Sequence, residues 1–431
     1  MLSQNESELF ATEKKSRPKK IGRSHGLDRK LQRPRVVWFL NGLLFCVQIW
    51  MLLRYEMDHH AHVGGKTTKT KISLDRFVQH GMEIAPLANI TKSAARQPAF
   101  LIIGAQKAGT TALAHYLAMH PHVIKGDKKN VLNKSGKAMM GSKELQFFLT
   151  KKYDQAVHQW LDARSKSVSK SDVDIQSLMS KTARDEIKVA RENYLNDLDL
   201  EALNTDSKFI SFDATPIYLF LSHRTPQRAK AITPWVKIIA ILRNPVKRAY
   251  SQYNMQQDHL PHDSFEAAVY QDVMLMERAH LIPKNSWTFD NATDTLNFNN
   301  KFLTLSGEEE KIAWTKYCKS IKGKTSAGIV GRGIYEVQLR HWLHFFPLNE
   351  KTLVLKTEDM TSEEGTRTVV EKAVGHLQLT NHYFAFAHKH SGLYQKPIDD
   401  RTAETLANFY ATYNARLGHL LGREWDNPWP K

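Results

Sequence analysis

Short apolar runs alternate with segments of helical periodicity from residue 100 to the end of the chain. Runs of consecutive apolar residues predict four buried strands, at Phe100 to Ile103, Phe209 to Phe212, Lys237 to Leu242 and Thr352 to Leu355. Helical spacing follows Thr110, Pro245, Gly333 and Arg401. Strands that alternate with helices are typical of a parallel sheet. The pattern therefore predicts an α/β fold, with a P-loop-like parallel sheet flanked by helices, in one domain over residues 99–431.

Two stretches interrupt this alternation, and a third precedes it. Residues 151–205 and 275–326 are charged and only weakly periodic, so we interpret both as insertions on the α/β scaffold. Residues 54–98 are polar and irregular, which is typical of a stem between a membrane anchor and a folded domain.

The run from Val36 to Leu53 contains no charged residue over 18 positions. As a helix it would span about 27 Å, enough for a thin bilayer. Four basic residues just before it predict a cytoplasmic tail over residues 1–35 and a luminal domain after the span: Arg29, Lys30, Arg33 and Arg35. We interpret the run as an uncleaved, single-pass type II membrane anchor. A signal peptide and a buried core helix are the alternatives.

Composition and net charge limit the class of protein and predict an anionic partner. The chain has 431 residues, of which 42% are hydrophobic, so it can fill a large core and is not a disordered protein. The net charge is +17, with 10 basic against 4 acidic residues in the first 35 and 51 against 40 in the remainder. An excess that persists outside the tail favours an anionic partner: a nucleotide, a polyanion or a membrane.

Two further features bear on the luminal assignment. Cys46 lies in the proposed span and Cys318 in the body, so the luminal part has no cysteine pair for a disulfide. The sequons at Asn89, Asn133 and Asn291 would be open to glycosylation in a lumen.

The first candidate site is the turn in FLIIGAQKAGTTALAHYL, which leads from a strand into a helix. Gly104 and Gly109 bracket a loop whose backbone N–H groups, with the helix N-terminus, are suited to phosphate oxygens. A Walker motif would place Lys directly after the second glycine, but Thr110 stands there and Lys107 lies inside the loop. This arrangement suits a terminal 5′ group without an essential metal. A strand-turn-helix with no ligand is the alternative.

The second candidate lies in AILRNPVKRAYSQY. Arg243 directly follows the strand that ends at Leu242, which places it at the carboxyl edge of the sheet, where such folds bind ligands. The guanidinium fork matches phosphate oxygens, and the Ser251 hydroxyl, two turns into the next helix, is a further donor. Two separate phosphate-binding elements predict a ligand with two separate phosphates. Arg243 as a cap or salt-bridge partner is the alternative.

Together these stretches resemble the sulfotransferases that use 3′-phosphoadenosine 5′-phosphosulfate (PAPS), and among them the Golgi heparan sulfate group. GAQKAGTTALAHYLAMHP is similar to the 5′-phosphosulfate loop of that group, and RNPVKRAYSQY to its 3′-phosphate element. The resemblance continues through KELQFF, FDATPIYL, GIYEVQLRHWLHFFP and the segment from Tyr394 to Trp425. It therefore covers about Phe100 to Trp425 apart from the two insertions.

The resemblance implies a role for individual residues. Lys107 would contact the 5′-phosphosulfate and stabilise the leaving phosphate, beside the loop positions Ala108, Gly109, Thr110 and Thr111. Arg243 and Ser251 would hold the 3′-phosphate, and Gly392 and Lys396 correspond to a third nucleotide-binding segment. Glu144 would be the general base for the acceptor, with Asp213 the next candidate. No metal is implied.

The sequence does not identify the acceptor glycan. The heparan group often has Lys after the acidic residue of the FDATP segment, whereas this chain has Ala214 there, so another polysaccharide or a glycoprotein glycan is an alternative to heparan sulfate. Two other classes compete with a membrane-anchored glycan sulfotransferase: a P-loop nucleotide kinase or phosphotransferase, and a non-catalytic module that binds polyanions. No nucleic-acid partner is expected.

Overall fold

The computed structural model describes residues 94–125, 144–256, 264–290, 295–298, 305–321, 328–386, 397–426 and 428–429. All of them lie in the compact unit from Pro86 to Lys431. The predicted tail, span and most of the stem lie outside these ranges, as do the three sequons and Cys46. None of the helices in the described ranges is both long and apolar enough to cross a bilayer.

The described ranges contain seven strands and thirteen α-helices. The strands are β1 Phe100–Gly104, β2 Val123–Lys125, β3 Ile210–Asp213, β4 Lys237–Leu242, β5 Trp287–Asp290, β6 Thr295–Phe298 and β7 Thr352–Lys356. The helices are α1 Thr110–Leu117, α2 Asp154–Lys166, α3 Asp172–Ser177, α4 Lys181–Leu195, α5 Leu200–Thr205, α6 Ile217–Phe220, α7 Thr225–Ile232, α8 Pro245–Gln256, α9 Phe265–Arg278, α10 Gly307–Ser320, α11 Tyr335–Leu343, α12 Glu363–Leu377 and α13 Asp400–Leu421.

The predicted parallel sheet is confirmed. Five strands pair in the order β2-β3-β1-β4-β7, and every pair is parallel. All four predicted strands are present within one or two residues of their predicted ends. Strand β2 was not predicted, because it has three residues and only Val123 is buried. The chain builds outward on both sides of β1, so the carboxyl end of β1 is the position where such folds place ligands.

The core lies on both faces of the sheet. Successive residues of β1 point to opposite faces, so Leu101 and Ile103 belong to one hydrophobic cluster and Phe100 and Ile102 to another. All five residues of β1 are buried, as expected for a parallel strand covered by helices on both sides.

The two predicted insertions fold as helices and a hairpin. Residues 151–205 contain α2 to α5, whose buried side chains, including Trp160 and Tyr194, join the same cluster as Leu101. Within 275–326, β5 and β6 form an antiparallel pair and α10 follows. The segment 151–205 is thus part of the main core, although most residues of its helices face solvent.

Candidate active site

The loop after β1 turns sharply into α1. Lys107 has φ of 69° and Gly109 has φ of 84°, both in the left-handed region, and α1 begins at Thr110 as predicted. The Ala105 amide donates to the Ile241 carbonyl (2.7 Å), which anchors the loop to β4. The Lys107 side chain is half-buried and Thr111 is exposed. This backbone leaves the N-terminus of α1 at the carboxyl edge of the sheet, where N–H groups are suited to an anion.

At Gly104 the lack of space for a side chain, and not a helix start, requires glycine. A Cβ at this position would lie 2.6 Å from Leu219 Cβ and 2.9 Å from the Pro216 carbonyl oxygen. Such contacts are too close for any side chain, so Gly104 allows the segment after β3 to pack directly against the start of the phosphate loop.

The second predicted element begins where β4 ends. Asn244 Oδ1 accepts hydrogen bonds from the amides of Val246 (3.0 Å) and Lys247 (3.1 Å), which caps α8. The helix starts at Pro245, as its fixed φ favours. Ser251 lies on the buried face of α8.

The structure brings the two predicted phosphate elements into contact. Arg243 Nη1 donates to the Lys107 carbonyl oxygen (3.3 Å), and the Arg243 carbonyl accepts from the Tyr335 hydroxyl (2.8 Å). Lys107 and Arg243 therefore lie next to each other at the carboxyl ends of β1 and β4. Gly392 and Lys396 lie outside the described residues.

Two residues that sequence reasoning missed hold these loops together. Thr357 Oγ1 lies 2.6 Å from the Ala108 carbonyl oxygen and 2.9 Å from that of Leu242. The Glu358 carboxylate accepts from the Asn244 amide (2.8 Å) and from Trp429 Nε1 (2.9 Å). Both directly follow β7 at the same sheet edge, so the rule that singled out Arg243 would also have singled out this pair.

Glu144 opens a segment that is attached to the end of β3. The amide of the next residue, Leu145, donates to Asp213 Oδ1 (3.1 Å), and the Gln146 amide donates to Thr215 Oγ1 (3.1 Å). Asp213 pairs with Leu101 in the register of β3 and β1. Glu144 is thus held on the side of β1 opposite to Arg243, and it is half-buried.

Asp213 has a structural role that makes it a poor general base. Its carboxylate is fully buried and also accepts from Thr215 Oγ1 (2.6 Å) and from the hydroxyls of Tyr194 and Tyr218 (2.8 Å each). Burial raises the pKa of Asp213, while the hydrogen bonds lower it. Because protein donors occupy both oxygens, Asp213 organises the Glu144 segment and offers no free face to an acceptor.

The fold and the two joined loops define a P-loop-like α/β protein. The profile of the sulfotransferase domain family matches residues 97–373, which is more than half of the chain. The chain therefore belongs to the sulfotransferase family, as its motifs predicted. This membership does not favour the kinase alternative.

Two relatives show where the similarity lies. The membrane-associated sulfotransferase kil1 of Dictyostelium discoideum is 22% identical over 77% of this chain and 67% of its own length. The bifunctional heparan sulfate N-deacetylase/N-sulfotransferase 3 of Homo sapiens is 23% identical over 77% of this chain but only 30% of its own length. This chain thus spans less than a third of the human relative. A sulfotransferase structure from Alicyclobacillus acidocaldarius aligns with a TM-score of 0.42 at 19% identity, over 75% of this chain and 96% of that one.

Proposed function

We propose that this chain transfers a sulfuryl group from PAPS to a hydroxyl or amine of a glycan. The observation that carries the proposal is the contact between Arg243 and the Lys107 carbonyl, which joins the two loops that we propose as phosphate-binding elements. A donor with a 5′-phosphosulfate and a separate 3′-phosphate fits two such elements. The sulfotransferase family of the chain supports the same donor.

On this proposal the donor side binds through the two loops. Lys107 and the backbone at Ala108, Gly109, Thr110 and Thr111 bind the 5′-phosphosulfate. Cations and N–H groups already aimed at the leaving phosphate stabilise its developing charge without reorganisation. Sulfuryl transfer resembles phosphoryl transfer in requiring in-line placement and charge stabilisation, and needs no metal.

Residues that follow β4 would hold the 3′-phosphate. Arg243 presents its guanidinium fork to that phosphate, and Ser251 adds a hydroxyl from the buried face of α8. Gly392 and Lys396 belong to the same donor site on the basis of the family resemblance.

Glu144 is the proposed general base. It removes the proton of the acceptor hydroxyl or amine as the bond to sulfur forms. Its segment starts at the carboxyl end of β3, beside the strand that carries the phosphate loop, which supports a place on the acceptor side.

The acceptor is proposed to be an anionic polysaccharide or glycan. Relatives of this chain are named for heparan sulfate, and the chain outside its first 35 residues carries a net positive charge. We propose a Golgi location with the single anchor at residues 36–53 and the catalytic domain in the lumen, which the basic flank of that run supports.

Incubation of the full chain with ³⁵S-labelled PAPS and a panel of glycans tests the proposal. We expect label in at least one polysaccharide. Lys107→Ala should lower the rate about 10²- to 10³-fold, because it removes one preorganised stabiliser of the leaving charge. The exposed Lys208 provides a matched control, since Lys208→Ala should leave the rate unchanged. A folded Lys107→Ala variant with more than roughly a third of the wild-type rate would exclude Lys107 from the reaction.

A further inference from the structure

Arg332 is a cation that neither phosphate motif contains. It lies in the 3₁₀ turn Gly331–Gly333, just before α11. Its Nη1 donates to Gln106 Oε1 (2.8 Å), next to Lys107 in the phosphate loop. Its guanidinium carbon lies 4.6 Å from the centroid of the Phe220 ring, which ends the short helix after β3. Arg332 therefore lies between the phosphate loop and the segment that follows β3.

The same two regions face each other across a narrow gap that is open to solvent. Ala105 and Gln106 contribute the phosphate-loop wall, Pro216 and Phe220 contribute the opposite wall, and Arg332 also lines the gap. On the proposed function, the sulfuryl group must pass between the donor loop and the acceptor side. A cation that touches both walls is placed where that group would be.

The backbone of the turn is fixed independently of the Arg332 side chain. The Asp272 carboxylate accepts hydrogen bonds from the amides of Gly328 (2.9 Å), Val330 (2.7 Å) and Gly331 (3.0 Å). The Val330 carbonyl accepts from the Tyr410 hydroxyl (2.8 Å). Because helices α9 and α13 supply these contacts, the turn does not need the Arg332 guanidinium to keep its conformation.

The charge of Arg332 has no carboxylate contact among the described residues. Its Nε is buried there without a hydrogen-bond partner. Burial, followed by the positive charge of Arg248, lowers the pKa of Arg332 to about 10, so the guanidinium stays charged at neutral pH. The Asp272 carboxylate acts on this charge through space, but backbone amides of the turn and the Tyr317 hydroxyl occupy its oxygens. An anionic ligand in the gap would give the half-buried guanidinium a direct partner of opposite charge.

We propose that Arg332 binds the sulfuryl end of the donor and stabilises it during transfer. This inference rests on the proposed function. The acceptor atom forms a bond to sulfur while the sulfur–oxygen bond to the 5′-phosphate breaks. The electron pair of that bond leaves with adenosine 3′,5′-bisphosphate, and the acceptor proton passes to the Glu144 carboxylate. Arg332 contributes charge and hydrogen bonds and exchanges no proton.

Binding measurements without an acceptor test this inference. PAPS and adenosine 3′,5′-bisphosphate differ only in the sulfuryl group, so the ratio of their dissociation constants isolates contacts to it. We expect Arg332→Gln to weaken PAPS binding roughly tenfold or more while the bisphosphate changes less than about twofold. Arg332→Lys keeps the cation but loses the fork, so its ratio should be intermediate. The exposed Arg96 gives a control, Arg96→Gln, which should leave the ratio unchanged.

The outcomes separate the possible roles. If Arg332→Gln weakened the binding of both nucleotides equally, or of neither, the inference would be overturned. Arg332 would then only support the position of Gln106. If Arg332→Gln does not fold, the ratio for Arg332→Lys decides the matter by the same criterion. A wild-type chain that binds both nucleotides but labels no glycan would refute the proposed function, whereas the binding ratio would still report the Arg332 contact.

Discussion

The donor side and the acceptor side of the proposed active site are built from different kinds of contact. On the donor side, neighbouring loops join through main-chain groups at the ends of adjacent strands. Ala105 binds the Ile241 carbonyl, Arg243 binds that of Lys107, and Thr357 lies against that of Ala108. The groups in contact are far apart along the chain, 136 positions for Arg243 and Lys107 and 249 for Thr357 and Ala108, but each lies in a loop that directly follows a strand.

On the acceptor side, one buried carboxylate joins three parts of the chain through its own oxygens. Asp213 binds the backbone at Leu145 and the hydroxyls of Tyr194 and Tyr218. These partners come from the Glu144 segment, from helix α4 in the stretch interpreted as an insertion, and from helix α6. The position of Glu144 thus depends on burial and on long-range contacts.

This difference predicts that donor binding and acceptor chemistry can be disrupted separately. Glu144→Gln keeps the shape of the side chain and removes the base, so turnover should fall about 10²-fold. The affinity for adenosine 3′,5′-bisphosphate should stay within about twofold of wild type, because the backbone next to Glu144 is attached to the end of β3. Single-turnover rates and calorimetric titration measure the two quantities.

The exposed Glu201 supplies the control, since Glu201→Gln should change neither quantity. If Glu144→Gln weakened bisphosphate binding as much as loss of Arg243 does, Glu144 would belong to the donor side and the comparison would fail.

Asp213→Asn should affect stability as well as turnover. The substitution replaces one of the acceptor oxygens of a fully buried, hydrogen-bonded carboxyl, so we expect a loss of about 2 kcal/mol in the free energy of unfolding. Urea unfolding followed by tryptophan fluorescence measures this loss. Asp185→Asn is the matched control, because Asp185 is exposed on helix α4, which also carries Tyr194. Unchanged stability for Asp213→Asn would show that the network does not hold the acceptor side.

The smallest expected effect concerns pH. His341 contacts Ser222 Oγ through Nδ1 (3.1 Å), close to the chain that leaves helix α6. Burial, followed by the charge of Arg340, lowers the pKa of His341 from 6.5 to about 4. The unfolded chain therefore binds a proton first, and the contribution of His341 to stability is present above pH 6.5 and lost as the pH falls towards 4.

Unfolding titrations at pH 7.5 and pH 5 measure this contribution. His341→Gln should reduce the acid loss of stability by roughly 1 kcal/mol. Part of the loss should remain, because burial also lowers the pKa of the neighbouring His223. The exposed His158 gives the control His158→Gln, which should leave the acid loss unchanged. An equal acid loss in wild type and His341→Gln would contradict the assignment.

The difference between the donor side and the acceptor side also explains how much of the structure the sequence could predict. The strands and the starts of α1 and α8 followed from apolar runs and from turn residues such as Gly109 and Pro245, which act locally. The role of Asp213 could not be predicted, because two of its partners, Leu145 and Tyr194, come from other segments, although Tyr218 is only five positions away. Arg332 was missed for the same reason: its partner Gln106 lies 226 positions away along the chain.

The central claim is that one site binds two separate phosphates, and a comparison of two nucleotides tests it most directly. Calorimetry on the full chain should show that adenosine 3′,5′-bisphosphate binds roughly 10- to 100-fold more tightly than adenosine 5′-phosphate, since a charge-assisted contact to a phosphate contributes about 1.5–3 kcal/mol. Arg243→Ala should abolish most of that preference, and Arg423→Ala, at an exposed position, should leave it intact. Equal affinity of the wild-type chain for both nucleotides, or an undiminished preference in Arg243→Ala, would contradict the account.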